Sequence, residues 1–177
     1  MQRPPEISVY ECKEVDYDFH ARYDCKGKEY VYLIYNGKYR NPFYENKALF
    51  YPYELDEKML DTEAKSFIGI HDFSAFCSVG SEVQDKVREI YDCTVTRNGD
   101  LVEICVSGNG FLYNMVRIIV GTLLRVGSGM IEPDEIPEIL EAKDRARAGE
   151  TARPHGLTLV EIKYPEAECL RQAALNI

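Results

Sequence analysis

The sequence has no tryptophan, no secretory segment and fewer basic than acidic residues. Its 21 Lys and Arg stand against 30 Asp and Glu, which gives a net charge of −9. On average, a field of that sign does not attract nucleic acid or an anionic membrane, so any RNA contact requires a local basic patch. The first residues carry no apolar signal-peptide core. Nothing therefore directs export, and we expect a cytoplasmic protein.

The cysteines and histidines lack the spacing of a metal site. The six cysteines include no C-x-x-C pair, and His20, His71 and His155 have no ligand-like spacing to them or to one another. The pattern argues against zinc, and we expect no metal. Without an export signal, the cysteines are expected to be buried or free thiols. The absence of a G-x-S-x-G turn and of a P-loop also argues against the chemistries that use those motifs.

The length and composition are those of a globular protein. The chain has 177 residues, of which 45% are hydrophobic and 29% charged. A chain near that length buries roughly 68–70% of its unfolded surface, so it can form a core without disulfides or metals. This composition excludes a collagen-like repeat and a disulfide mini-protein. It fits one large domain or part of a two-domain protein.

The distribution of apolar residues predicts an α+β fold. Residues 28–36 form a strong strand signal, with Tyr30, Tyr32 and Ile34 on one face. Since the other face is also apolar, we expect a central strand covered on both sides. The other predicted elements are an extended segment 7–15, a helix 55–68, strands 87–96 and 101–107 around Asn98-Gly99, an apolar helix 111–126, a helix 134–142 and a strand 157–164. Their order favours a mostly antiparallel sheet with helices packed on one face.

The apolar segment 111–126 contains one charged residue, Arg117. The segment is too short to span a membrane, which needs roughly 20 residues, so we expect a buried helix and no membrane contact. A buried guanidinium without a partner costs several kcal/mol. Arg117 therefore either extends to the surface or pairs with a structural carboxylate, or it holds a catalytic carboxylate or an RNA phosphate.

The glycine-rich turn before this segment, Gly108-Asn109-Gly110, resembles part of a dinucleotide-binding motif. The third glycine of that motif would fall at Tyr113, and the preceding strands form a hairpin instead of a parallel unit. The dinucleotide interpretation therefore fails. The turn either packs two elements together or offers its backbone amides to a phosphate.

Several strings, taken in order, resemble a known family. They are FHARY, KEYVYLIYN, HDFSAF, VREI, NGFLYNMVRIIVGTLL, AKDRARAG and ARPHGLTLVEIKYP. Their order and spacing are similar to those of the second half of TruA-type tRNA pseudouridine synthases, from about residue 5 to 165. The resemblance implies one half of the pseudouridine synthase fold, as a single α+β domain over 1–165 with a C-terminal tail over 166–177.

The resemblance also implies a reaction and a set of residues. The family isomerises uridine to pseudouridine in the tRNA anticodon arm without a cofactor, and the target base must leave the stack. Tyr30 matches the tyrosine that packs on the target base and is implicated in removing the C5 proton. Arg117 matches the arginine that pairs with the catalytic aspartate. Leu157 and Leu159 fall where aliphatic side chains line the pocket, and Arg22 is a candidate RNA contact.

The sequence departs from the family at the nucleophile. The family's catalytic aspartate lies in a G-R-T-D-x-G-V-H motif, and none of the eleven aspartates here follows Arg-Thr. We therefore expect a truncated chain that is inactive without an N-terminal half. Two alternatives are a stand-alone RNA-binding module and a structural remnant. Because the family is homodimeric, and because removal of half a subunit exposes apolar surface, we also expect self-association.

Overall fold

A computed structural model describes residues 4, 6–81 and 83–165, and within them the α+β prediction is confirmed. The predicted tail 166–177 lies outside the described residues. The strands are β1 (Gly27–Tyr35), β2 (Leu49–Phe50), β3 (Gly69–Asp72), β4 (Val87–Asn98), β5 (Leu101–Gly108) and β6 (Leu157–Lys163). The helices are α1 (Glu57–Ala64), α2 (Met115–Gly127) and α3 (Ile136–Ala142).

The strand β1 is the centre of the sheet. It pairs antiparallel with β5 along one edge, and β4 and β3 follow in that direction. Along its other edge β1 pairs antiparallel with β6 and, at its last two residues, parallel with β2. The sheet is therefore mostly antiparallel, and β1 is the only strand that connects its two sides among the described residues.

One face of the sheet forms the core. Tyr32 and Ile34 are fully buried, and they share that face with inward residues of β4 and β5. Helices α1 and α2 pack on this face. The opposite face, with Val31 and Leu33, is only half-buried. The expectation that β1 is covered on both sides is therefore wrong for the described part of the chain, since α1 and α2 pack on one face and the residues of the other face stay half-buried.

The first predicted strand is wrong. Residues 7–15 form no strand, and Ile7 and Val9 are more than half exposed. Alternating apolar residues favour extended structure, but a strand also needs a neighbour that satisfies its backbone groups, and no described segment pairs with this one. Sequence analysis also missed β2 and β3, which are too short to give a periodic signal.

The predicted helices form with shifted ends. Helix α1 begins at Glu57 because the Asp56 carboxylate accepts hydrogen bonds from the first backbone amides, and a 3₁₀ turn, Lys65–Phe67, follows the helix. Helix α2 begins at Met115, so the first four residues of the apolar run lie outside it. The predicted hairpin is confirmed: Asn98 pairs with Leu101, and Gly99 takes the positive φ that such a turn requires.

The described cysteines are free thiols: Cys12, Cys25, Cys77, Cys93 and Cys105. Burial raises the pKa of Cys93 to about 12, so this thiol stays protonated and unreactive at neutral pH. Cys169 lies outside the described residues. None of the helices described here is long and apolar enough to cross a membrane.

A close backbone contact fixes the chain segment 149–153 across α2. A Cβ atom on Gly121 would overlap the carbonyl group of Glu150, and one on Gly149 would overlap the backbone of Gly121. The Thr122 hydroxyl accepts a hydrogen bond from the Gly149 amide (2.9 Å) and donates one to the carbonyl of Ile118 (2.8 Å). The two glycines thus allow residues 149–153, here called the strap, to lie directly on the helix backbone.

We predict that Gly121→Ala destabilises the protein, because the added methyl group forces the strap away from α2. The expected loss in the free energy of unfolding is about 2–3 kcal/mol, as for overpacked cores. Urea denaturation followed by circular dichroism measures it. Gly110→Ala is the control, since a Cβ there meets only the flexible side chain of Arg88 at 3.6 Å. Equal stability of the two variants would contradict the prediction.

Candidate active site

The candidate site lies where the buried face of β1 meets the start of α2. Tyr30 lies opposite Leu159 on β6, and two residues further on, Tyr32 lies opposite Leu157. Directly paired residues share a face of the sheet, so the two leucines lie beside the two tyrosines. The ring of Phe111 packs edge-on against the ring of Tyr30, with centroids 5.1 Å apart. These side chains form an aromatic and aliphatic wall.

Arg117 is held by two neutral oxygens. Its Nε donates to the carbonyl of Ala152 (2.6 Å), and its Nη1 donates to Oδ1 of Asn114 (2.9 Å). No carboxylate of the described residues forms an ion pair with it, so the structural ion-pair interpretation is wrong for that part of the chain. A guanidinium has five N–H donors, and three of these are left after the two bonds. The side chain is thus oriented while much of its capacity for an anion remains available.

Asn114 orients Arg117 from the residue just before α2. Its backbone has φ 61°, a left-handed conformation that asparagine tolerates better than most residues. Its amide nitrogen donates to the Ser78 hydroxyl (3.0 Å), which fixes the amide oxygen toward Arg117. Sequence analysis missed this residue, although an asparagine three positions before a lone buried arginine is a usable signal.

Tyr32 fixes the strap on the other side of the arginine. Its hydroxyl donates to the carbonyl of Arg153 at 2.5 Å, while the amide of Ala152 donates to the carbonyl of Arg117 at 3.1 Å. Burial raises the pKa of Tyr32 to about 12, although the charges of Arg117 and Arg153 oppose the shift. Tyr32 therefore remains a neutral donor at physiological pH and serves as an anchor for the strap.

Tyr30 is only partly buried, and burial raises the pKa of its hydroxyl above the ordinary value of 10. At neutral pH the site thus presents a protonated phenol and the face of its ring. The role of Tyr30 in removing the C5 proton stays a prediction. A protonated phenol can accept that proton only after a further group has taken its own, and otherwise another group must accept the C5 proton directly.

The structure brings together four of the five residues predicted for the site. Tyr30 and Leu159 are paired across β1 and β6, and Leu157 is paired with Tyr32. Arg117 is linked to them through the strap, since it and Tyr32 donate to the carbonyls of the consecutive residues 152 and 153. Leu157 is half-buried and Leu159 is 42% exposed. Arg22 lies apart, with its guanidinium 5.8 Å from the ring of Tyr23. No hydrogen bond or ion pair among the described residues joins it to the other four, because its turn is anchored at the far end of β6.

The turn at Gly108-Asn109-Gly110 packs strands together. The Asn109 amide donates to the Glu89 carbonyl (2.9 Å), and its side-chain oxygen accepts from the Glu89 amide (3.1 Å). A Cβ on Gly108 would lie 2.7 Å from the same carbonyl oxygen. The glycine is thus required by the close approach of β4, which supports the packing interpretation over phosphate binding.

We predict that Asn114→Gly costs more stability than Asn46→Gly. Both asparagines have a left-handed backbone, at φ 61° and 58°, so glycine relieves the same strain in each. Only Asn114 loses side-chain hydrogen bonds to Ser78 and Arg117. The expected difference in the free energy of unfolding is about 1–2 kcal/mol. Thermal unfolding measures it, and the NMR signal of the Arg117 Nε–H group is expected to shift only in Asn114→Gly.

Comparisons with known proteins found a matching family model and similar curated proteins. A family model described as tRNA pseudouridine synthase matches residues 64–165, more than half of the chain. The tRNA pseudouridine synthase A of Caldicellulosiruptor saccharolyticus is 50% identical over 161 residues, covering 91% of this chain and 66% of that protein. The corresponding proteins of Acetivibrio thermocellus and Bacillus subtilis are 48% and 46% identical over the same share of this chain.

The matched relatives are longer than this chain, which spans 65–66% of their length. Among solved structures, a chain of a Cbf5-Nop10-Gar1 complex matches 84% of this chain at 17% identity, with a TM-score of 0.36. That superposition is too loose to add to the sequence matches. The family model and the curated relatives agree with each other and with the motifs from FHARY to ARPHGL. On these grounds the chain belongs to the tRNA pseudouridine synthase family.

Proposed function

We propose that this chain contributes to the isomerisation of uridine to pseudouridine in tRNA, as one part of a composite active site. Tyr30 and Arg117 come from this chain, and the nucleophilic aspartate comes from a Gly-Arg-Thr-Asp segment that these 177 residues do not contain. The names of the relatives support the reaction. We further propose the anticodon arm as its target and the cytoplasm as its location, both from the resemblance.

The observation that carries the proposal is the state of Arg117. It is partly buried and held in one orientation by Asn114 and Ala152, yet it has no anionic partner in the described chain. Burying a cation away from water without a partner of opposite charge carries a desolvation penalty. A carboxylate supplied by another segment removes that cost, and the fixed guanidinium then holds the carboxylate in place for attack.

The wall of Tyr30, Phe111 and Leu159 supports the binding of a flipped base. A base taken out of the stack needs aromatic or aliphatic surfaces on which to lie. Breaking the N-glycosidic bond frees the base, which turns and rejoins the ribose through C5. The C5 hydrogen is then lost to water. A smooth apolar wall lets the base rotate, whereas a set of hydrogen bonds to its edge would hold it in one orientation.

The outer edge of β6 supports the attachment of a second segment beside the site. Strand β6 pairs with β1 along one side only, and no other described strand pairs with it. Val160 is 50% exposed and Ile162 is 37% exposed, on a strand that carries Leu159 toward the site. An exposed strand edge with apolar side chains is a template for a further strand.

We predict that this chain alone releases no tritium from anticodon-arm tRNA labelled at uridine C5. Addition of a family segment that carries Gly-Arg-Thr-Asp is expected to restore release. Arg117→Gln is expected to lower the restored rate at least about 30-fold, since loss of one partner of a desolvated charge pair costs about 2–5 kcal/mol.

The matched control is Arg125→Gln, in the last turn of the same helix, with no expected effect on the rate. Release by the chain alone would show that the nucleophile lies within it. Equal rates for the two variants would show that Arg117 does not hold the catalytic carboxylate.

We also predict that the isolated chain self-associates through β6. Light scattering is expected to show a mass that rises with protein concentration, and Val160→Lys is expected to keep the chain monomeric by placing a charge on the exposed strand. Val79→Lys is the control, because Val79 is 92% exposed outside the sheet. A wild-type monomer at high concentration would contradict the prediction.

A further inference from the structure

A cavity lies next to the strap, whose carbonyls at residues 152 and 153 accept hydrogen bonds from Arg117 and Tyr32. Its volume is about 430 Å³, within the range of small-molecule sites. The residues that line it include the tyrosines Tyr35, Tyr44 and Tyr53 and the basic residues Arg40, Arg153 and His155. None of the five residues predicted for the active site lines this cavity.

Stacked aromatic rings form one wall of the cavity. The rings of Tyr35 and Tyr44 stack with centroids 5.1 Å apart and planes inclined by 22°. The ring of Phe50 continues this wall at 6.2 Å from Tyr35. Tyr53 also lines the cavity, contacts Tyr51 edge-on and is 70% exposed. A flat ring with an open face is a surface on which a planar group can stack.

Basic groups surround the aromatic wall. The guanidinium of Arg40 lies 5.1 Å from the ring centre of Phe50, and Arg153 and His155 line the same cavity. Glu45 is the one carboxylate among the residues that line it. In a chain of net charge −9 this is a local excess of positive charge, as an RNA contact requires.

The strap places this cavity beside the candidate active site. The carbonyl of Ala152 accepts from Arg117, and the carbonyl of the next residue, Arg153, accepts from Tyr32. Arg153 is also one of the residues that line the cavity. Two consecutive residues of the strap therefore join the two places: Ala152 contacts Arg117 of the candidate site, and Arg153 lines the cavity.

We propose that this cavity binds an unstacked base of single-stranded RNA next to the target nucleotide. Aromatic plates combined with guanidinium groups are the means by which proteins hold single-stranded nucleic acid, with stacking on the rings and cations near the phosphates. The open ring face together with the two guanidinium groups favours a base and its phosphates over a peptide. The proposal rests on the proposed function for the identification of the RNA as tRNA and for the position of the base next to the target nucleotide.

The test uses the 177-residue chain and a labelled single-stranded RNA of about 12 nucleotides that contains 5-iodouridine. Fluorescence anisotropy measures affinity, and irradiation followed by tryptic digestion locates the contact. Crosslinks are expected in the peptides 41–47 and 48–58, which contain Tyr44 and Tyr53. Tyr53→Leu is expected to weaken binding at least about fivefold, as is typical of a lost stacking contact.

Tyr17→Leu is the matched control, because Tyr17 is fully exposed outside this cavity. Affinity equal to wild type in Tyr53→Leu, crosslinks confined to other peptides, or no RNA binding at all would each overturn the proposal. Binding of a peptide but not of RNA would overturn it in favour of a protein partner. If pocket crosslinks form while the reconstituted protein releases no tritium, the cavity is supported and the proposed reaction fails.

Discussion

The contact between the strap 149–153 and helix α2 positions the rest of the site. Two glycines let one backbone lie on another, and Thr122 locks them together with a buried hydroxyl. From that contact the chain runs past the carbonyls that orient Arg117 and Tyr32, then into β6 beside Tyr30. A glycine pair therefore positions the two carbonyls to which Arg117 and Tyr32 donate.

The candidate site combines rigid placement with a charge, on Arg117, that has no anionic partner among the described residues. Tyr32 and Asn114 use their hydrogen bonds on protein atoms, so they have little capacity left for chemistry. Arg117 uses two of its donors in the same way and keeps the others. A residue such as Arg117, which is held in one orientation and still has free donors, is what a preorganised binding site for an anion requires.

Much of this arrangement could be predicted from the sequence, and the reasons for the failures are physical. The periodicity of residues 28–36 and the Asn98-Gly99 turn predicted β1 and the hairpin, because local sterics decide those elements. The extended segment 7–15 failed because a strand depends on a neighbour that local sequence does not encode. The roles of Asn114 and Tyr32 were also missed, since each contact joins residues that only the fold brings together.

The pairing of β1 with β6 has a consequence for the order of folding. Tyr30 and Leu159 are neighbours across the sheet, although 128 residues of chain lie between them. The hairpin of β4 and β5 closes from a two-residue turn and can form early, whereas the β1–β6 pair must wait for a long loop to close. During synthesis the wall beside Tyr30 therefore stays open until Leu159 has left the ribosome.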